Sequence, residues 1–399
     1  MTPLVFHPIA VDGKKYPKPV FSMLPGLSEN YWRLSRGDTF KSSFLKDGLF
    51  FQNGRYAIHY ALKKAGVKRG STILLPSYHC RSLVEPAMYL DSDIRFYPIK
   101  RDLTIDLDSV SIIVEESSKP IEVMLVVHYF GFPQDIESIT SFCTDNNIVL
   151  IEDCAHSFYG TVGGKLMGTF GDYSIASPKK FFPMSEGGVL IDNVNTIAPN
   201  SLNAQPLLEE AKHLAKYLSS MVRKKCENLP DTKITNEIKG HFIKGDSPRL
   251  SEKYLYFREE SINLSGCMVS RFLMHHANHE RIIKMRRDNY QRWLDGIAGI
   301  QACEPLQARL KDEIVPYVFP LVLTQQSEEV FHELKCWGIP IWRWEDLAVT
   351  DCRYSNEYRL SLIQLPCHQD ISTDQIDWMI DRVGRSISNV LEKNSESSS

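Results

Sequence analysis

The chain has 399 residues, 43% hydrophobic and 24% charged, with a formal net charge of −3. That length predicts two domains, or one large α/β domain with an appendage, and the near-neutral balance gives no footing for a nucleic-acid partner. Nine cysteines without a C-x-x-C pair or metal-like Cys/His spacing argue against a disulfide framework or a metal module, and fit free thiols in a reducing, cytoplasmic compartment.

The opening MTPLVFHPIAVDGKKYP lacks the charged n-region and long apolar run of a secretory signal. No stretch approaches the length of a membrane span, so no membrane partner is expected. Residues 1–45 read as an irregular lead-in with one short helix near Leu27–Leu34. In FFQNGRYAIHYAL, a turn at Asn53–Gly54 precedes apolar residues at helical spacing: Ala57, Ile58, Ala61 and Leu62. The exposed amides and dipole of such a helix start form an anion site. STILLP is a buried strand, PSYHC stands at its end, and a helix begins near Arg81. DIRFYP is a further strand, and Leu103–Val110 turns into a helix. IEVMLVVHYFGFPQD reads as strand plus loop, and Ile136–Asn147 as an amphipathic helix. This alternation predicts a mostly parallel sheet with helices on both faces.

The next strand, NNIVLI, ends at Asp153, and a carboxylate there lies at the carboxyl edge of a parallel sheet. His156 follows, then glycines 160, 163, 164, 168 and 171, the strand DYSIAS, the adjacent Lys179 and Lys180, and the turn SEGG. Residues 192–262 are polar, helix-prone and rich in Lys and Glu. A long helix is predicted over Met268–Leu294. IVPYVFPLVLT, SEEVFHELKCWG and IPIW then read as strand, helix, strand, and LSLIQLPCHQDIS leads into the terminal helix TDQIDWMIDRVGRSI. These predict a large α/β domain over 46–262, a connector and small α+β domain over 263–390, and a disordered polar tail over 391–399. The basic clusters Arg223–Lys225 and Lys284–Arg287 read as solvated helix faces.

EDCAHS, GTFGDYSIASPKKF and SEGG together resemble the DegT/DnrJ/EryC1/StrS family of pyridoxal-phosphate (PLP) sugar aminotransferases. That family reads EDAAQ, GxxGD(I/Y)xxFSFHPSKNL and GDGG or GEGG in this order. VHYFGFPQD is similar to the family's VHLYGxPxD. The resemblance is strong over 50–190 and looser over 263–390, and it implies the PLP-dependent transferase fold of type I. It implies that Lys179, five residues after Ser174, forms the Schiff base with the cofactor, while Lys180 falls where the family has Asn. It implies that Asp153 pairs with the pyridine nitrogen, that His156 lies against the cofactor ring or near the substrate amine, and that Ser174 binds the cofactor phosphate. Gly54 and Arg55 match the family's phosphate-binding Gly-Thr, with Arg for Thr. PSYHC is similar to VPSFTFVAT, whose aromatic residue covers the ring; strict spacing puts Cys80 there, and Tyr78, His79 and Cys80 all remain candidates. The family's R-x-H/Y-G loop, which reaches the neighbouring subunit's cofactor, is not found. The resemblance further implies a homodimer that moves an amino group from an amino acid, usually glutamate, to a keto-sugar, often nucleotide-linked, in surface-polysaccharide or specialised-metabolite biosynthesis. A PLP enzyme of another reaction type, or a non-catalytic relative acting as a binding module, are the alternatives.

Overall fold

The computed structural model describes residues 4–9, 15–32, 41–46, 48–195, 202–222, 229–235, 249–250 and 254–397. In chain order the first half runs β1 (Val5–Phe6), β2 (Leu49–Phe51), α1 (Gly54–Lys64), β3 (Thr72–Pro76), α2 (Arg81–Tyr89), β4 (Asp93–Tyr97), α3 (Leu107–Glu115), β5 (Ile121–Val127), α4 (Ile136–Asp145) and β6 (Val149–Asp153). The short hairpin β7 (Thr161–Val162) and β8 (Lys165–Leu166) follows, then β9 (Tyr173–Ala176) and β10 (Gly188–Asp192).

Seven of these strands form one sheet in the order β2-β10-β9-β6-β5-β3-β4. All neighbours from β9 to β4 are parallel, and β10 alone runs antiparallel to both of its neighbours. Every residue of β3 and β9 is buried, which means that both sheet faces are covered. That is why these strands read as unbroken apolar runs instead of alternating ones. The parallel strands all end at one edge, and Asp153 is the last residue of β6.

The remainder comprises α5 (Leu207–Val222), β11 (Arg249–Leu250), α6 (Met268–His276), α7 (His279–Ile297), β12 (Cys303–Pro305), β13 (Val318–Leu323), α8 (Ser327–Cys336), α9 (Arg353–Ser361), β14 (Leu362–Pro366) and α10 (Thr373–Ser397). The last three strands form an antiparallel sheet in the order β12-β13-β14. Among the described residues, no helix is long and apolar enough to cross a membrane.

Several expectations change. The helix predicted over Met268–Leu294 is two helices. Ala277 is extended, and the Asn278 side chain accepts the Arg281 N–H at 3.1 Å, capping a new helix. IPIW contributes one bridge, Trp342 to Gln364, and no strand. The tail predicted to be disordered from 391 continues α10 to Ser397. The lead-in is tied down: β1 pairs with β11, and Val349 N–H donates to Val5 O at 2.9 Å. The helix near Leu27–Leu34 is a single 3-10 turn, Glu29–Tyr31, and 33–34 lie outside the described residues. Within 192–262 the described residues contain α5 and β11, and the cluster Arg223–Lys225 lies outside them.

Candidate active site

Successive residues of a strand point to opposite faces, and β6 ends with two carboxylates, Glu152 and Asp153. Glu152 is fully buried and fully engaged. It accepts N–H bonds from Gly168 at 2.7 Å, Phe170 at 3.1 Å and Gly171 at 3.2 Å, and it lies 3.1 Å from His128 Nε2. This is where the glycine-rich loop goes: its backbone wraps the Glu152 carboxylate. Asp153, on the other face, accepts one N–H from Ala155 at 2.8 Å and forms no ion pair among the described residues. Burial pushes its carboxyl up, while the nearby Lys180 ammonium pulls the other way.

β9 pairs Glu152 with Ser174 and Asp153 with Ile175. Ser174 therefore shares the Glu152 face. Its hydroxyl donates to Glu152 at 3.3 Å and accepts from Asn193 Nδ2 at 3.3 Å. This register sets the Ser174 hydroxyl, expected at the phosphate, on the Glu152 face and away from Asp153. The hydroxyl on the Asp153 side is Ser177, three residues on. A Cβ built on Gly54 would lie 3.9 Å from Ser177 Oγ, so this serine borders the start of α1.

The two lysines separate as well. Lys179 and Lys180 lie in one 3-10 turn, Pro178–Lys180, and diverge from it. Lys179 Nζ donates to Asn53 Oδ1 at 2.8 Å, beside α1. Burial, with Arg55 and Lys180 nearby, pulls its amine down to about 8. Lys180 enters the cleft, with its amine 5.4 Å from the centre of the Tyr317 ring. Burial lowers its proton affinity, and Cys80 and Asp153 oppose that shift. The Lys180 charge in turn acts on Asp153, His156 and Cys80. Lys180, not Lys179, is the amine facing the buried carboxylate.

At the start of α1, the SEGG turn presses against Asn53 and Gly54. Gly187 N–H donates to Gln52 O at 2.6 Å, and a Cβ on Gly188 would overlap the Asn53 carbonyl, so only glycine fits there. Arg55 donates through Nη1 to Tyr256 O at 2.9 Å, and its buried Nε has no partner. Gly54, Arg55, Ser177 and Lys179 thus border a helix N-terminus with two cations and a hydroxyl. That chemistry suits an anion.

The three candidates in PSYHC separate. Tyr78 is fully buried among Tyr129, Trp344 and Tyr358. His79 is fully buried, stacks on Phe96 at 5.2 Å, and accepts the Ala348 N–H at 3.2 Å. Both are core residues. Cys80 is partly exposed and electrostatically coupled to Lys180 and Asp153, so it alone lines the cleft. His156 lies between Phe130 (centroids 5.4 Å apart, 13°) and Tyr317 (4.8 Å, 21°). Both ring faces are occupied, and Nδ1 accepts the Phe130 N–H at 3.2 Å, which leaves the Nε2 edge for a ligand. Burial, with Lys180 nearby, keeps this imidazole neutral by pulling its pKa well below the usual value.

The sequence reading names Lys180 beside Lys179 but singles out neither Ser177 nor Tyr317. For Ser177, just past the end of β9, its odd spacing from Ser174 is a usable signal that the two point to different faces. Tyr317 comes from a segment 164 residues beyond Asp153 and has no local signal.

Residues 45–204 match the sequence pattern of the DegT/DnrJ/EryC1/StrS aminotransferase family. A GDP-perosamine synthase of Vibrio cholerae is 29% identical over 182 residues, covering 43% of this chain and 49% of that protein. One from Escherichia coli O157:H7 is 31% identical over 153 residues, covering 38% and 42%. The chain thus spans about half the length of the curated relatives it matches. A putative sugar aminotransferase from Streptococcus pneumoniae, in its apo form, superposes with a TM-score of 0.61 at 16% identity, covering 92% of this chain and 94% of that one. That likeness shows a shared α/β fold over most of both chains. The match to the DegT/DnrJ/EryC1/StrS aminotransferase family thus covers residues 45–204, while the likeness of fold covers most of the chain.

Proposed function

We propose that the protein is a PLP-dependent aminotransferase that moves an amino group from an amino acid, glutamate by family resemblance, to a keto-sugar carried on a nucleotide. The observation that supports it most is the convergence of Lys180, Asp153, His156 and Cys80 at the carboxyl edge of the parallel sheet, next to the cationic start of α1. The residues fit the cofactor. A buried carboxylate without an ion pair suits a protonated ring nitrogen, and the unpartnered Arg55 Nε suits a phosphate.

Gly54, Arg55, Ser177 and Lys179 would hold the phosphate, Asp153 the ring nitrogen, and Lys180 the aldehyde carbon. When bound, PLP supplies an electron sink for charge developing on the donor's α-carbon. Burial lowers the proton affinity of Lys180 Nζ and so favours its free-amine form, which would take the proton from that carbon and return it. Neutral His156 offers Nε2 as a polar edge while Phe130 and Tyr317 fix its plane. Cys80 replaces the aromatic residue of the family pattern, so the ring face on that side meets a small thiol.

A homodimer fits the same reading. Leu207, Leu208, Leu214, Met268 and Phe272 of α5 and α6 are exposed, an apolar surface suited to a second copy. The free thiols fit a cytoplasmic setting.

The test is the visible spectrum with PLP of wild type, Lys179→Ala and Lys180→Ala. Wild type and Lys179→Ala give a yellow band that borohydride fixes onto Lys180, and Lys180→Ala does not. Glutamate bleaches the band. No band in wild type, or fixation onto Lys179, overturns the assignment.

A further inference from the structure

Arg286, on α7, is fully buried and forms no ion pair among the described residues. Its whole fork is spent on neutral oxygens. Nη2 donates to Lys180 O at 2.9 Å, Nη1 to Tyr317 O at 2.9 Å and Pro316 O at 3.2 Å, and Nε to Gln369 Oε1 at 3.1 Å. The guanidinium also lies 4.5 Å over the Phe181 ring. Gln369 donates onward to Phe181 O at 2.8 Å.

Two side chains from beyond the large domain therefore grip consecutive carbonyls, those of Lys180 and Phe181. A buried cation without a counter-charge is a poor way to gain stability. A rigid planar fork that reaches three backbone carbonyls is a good way to fix geometry. What it fixes is the pair across the cleft, the Lys180 amine and the Tyr317 ring beneath it. Tyr317 is anchored a second time, through its N–H to Phe130 O at 2.8 Å, and it forms one wall of the His156 slot.

We propose that Arg286 is a positioning residue for Lys180. By binding the Lys180 and Tyr317 carbonyls together, it holds the amine over the Tyr317 ring and toward Asp153, so the amine's reactivity depends on the docking of the connector helix. This rests on the reading of Lys180 as the reactive amine. The groups facing that amine are Cys80, Asp153, His156, Lys179 and Tyr317. Arg286 acts on it through the backbone.

The experiment uses the full chain without added cofactor. Lysines are acylated with limiting acetic anhydride across a pH series and quantified by mass spectrometry. Lys335 is the internal control: it is a second lysine lowered by burial, to about 8, with its amine on Ile341 O. Arg286→Lys keeps the charge and loses the fork. The released Lys180 amine moves toward solvent and regains proton affinity, so the pH midpoint of its labelling moves up while that of Lys335 stays in place. An unchanged Lys180 midpoint in the folded variant overturns the proposal. So does an equal shift at both lysines, which marks general loosening. Should Arg286→Lys fail to fold, Gln369→Leu decides: a smaller upward shift at Lys180 alone supports the proposal, and none overturns it. Because no cofactor is present, failure here is separate from failure of wild type to bind PLP.

Discussion

The two faces of the sheet edge make an instructive contrast. Glu152 and Asp153 are adjacent, both buried, and differ by one methylene. Glu152 is surrounded by His128, Ser174 and three N–H donors, and it closes the glycine loop. Asp153 has one N–H donor, and its carboxyl is pushed up by burial. The first face is saturated, so it stores stability. The second is under-satisfied, so it has bonding capacity left for a ligand and costs some stability to keep. Burial alone does not separate a structural carboxylate from a functional one; the number of donors does.

The contrast breaks most visibly at Glu152. Glu152→Ala strands three N–H groups and a histidine, and a loss of about 3–5 kcal/mol in denaturant unfolding is expected. Asp153→Asn keeps an acceptor for Ala155 and removes a buried charge, so stability equal to or above wild type is expected, together with loss of glutamate bleaching. A large destabilisation by Asp153→Asn would erase the distinction.

The two serines give the next largest effect. Ser177→Ala removes a hydrogen bond to an anion and weakens PLP binding about tenfold in a fluorescence titration. Ser174→Ala, on the saturated face, leaves that affinity within about twofold and costs roughly 1 kcal/mol of stability. Reversed outcomes would restore the Ser174 assignment.

The subtlest test is electrostatic. Asp153 favours the ammonium form of Lys180. Asp153→Asn removes that support, proton affinity falls, and the free amine persists to lower pH, so the acylation midpoint of Lys180 moves down. Glu152→Gln, on the far face, leaves it in place. A shift of the same size in both variants would show that the field crosses the sheet and that the faces are not independent.

Much of this was legible in the sequence. The strand runs, the helix after Asn53–Gly54, the carboxylate ending β6 and the glycines that the SEGG turn needs all follow from local pattern. Lys179 and Ser174 follow from counting along the chain, but a side chain's direction depends on strand register and on the 3-10 turn at Pro178–Lys180. Counting cannot see that Ser174 and Ser177 lie on opposite faces unless alternation is applied. It also cannot tell which of two adjacent lysines enters a cleft.

The α/β fold, the family resemblance and the stretch that holds the candidate site are readable from sequence, because strand and helix periodicity and backbone-critical glycines are local properties. Tertiary packing alone sets Lys180 toward Asp153, buries Tyr78 and His79 in the core, and brings Arg286 and Tyr317 against the Lys180 segment. Those depend on β6–β9 register and on the docking of segments more than a hundred residues apart, where packing and hydrogen-bond satisfaction, not sequence neighbours, fix each side chain.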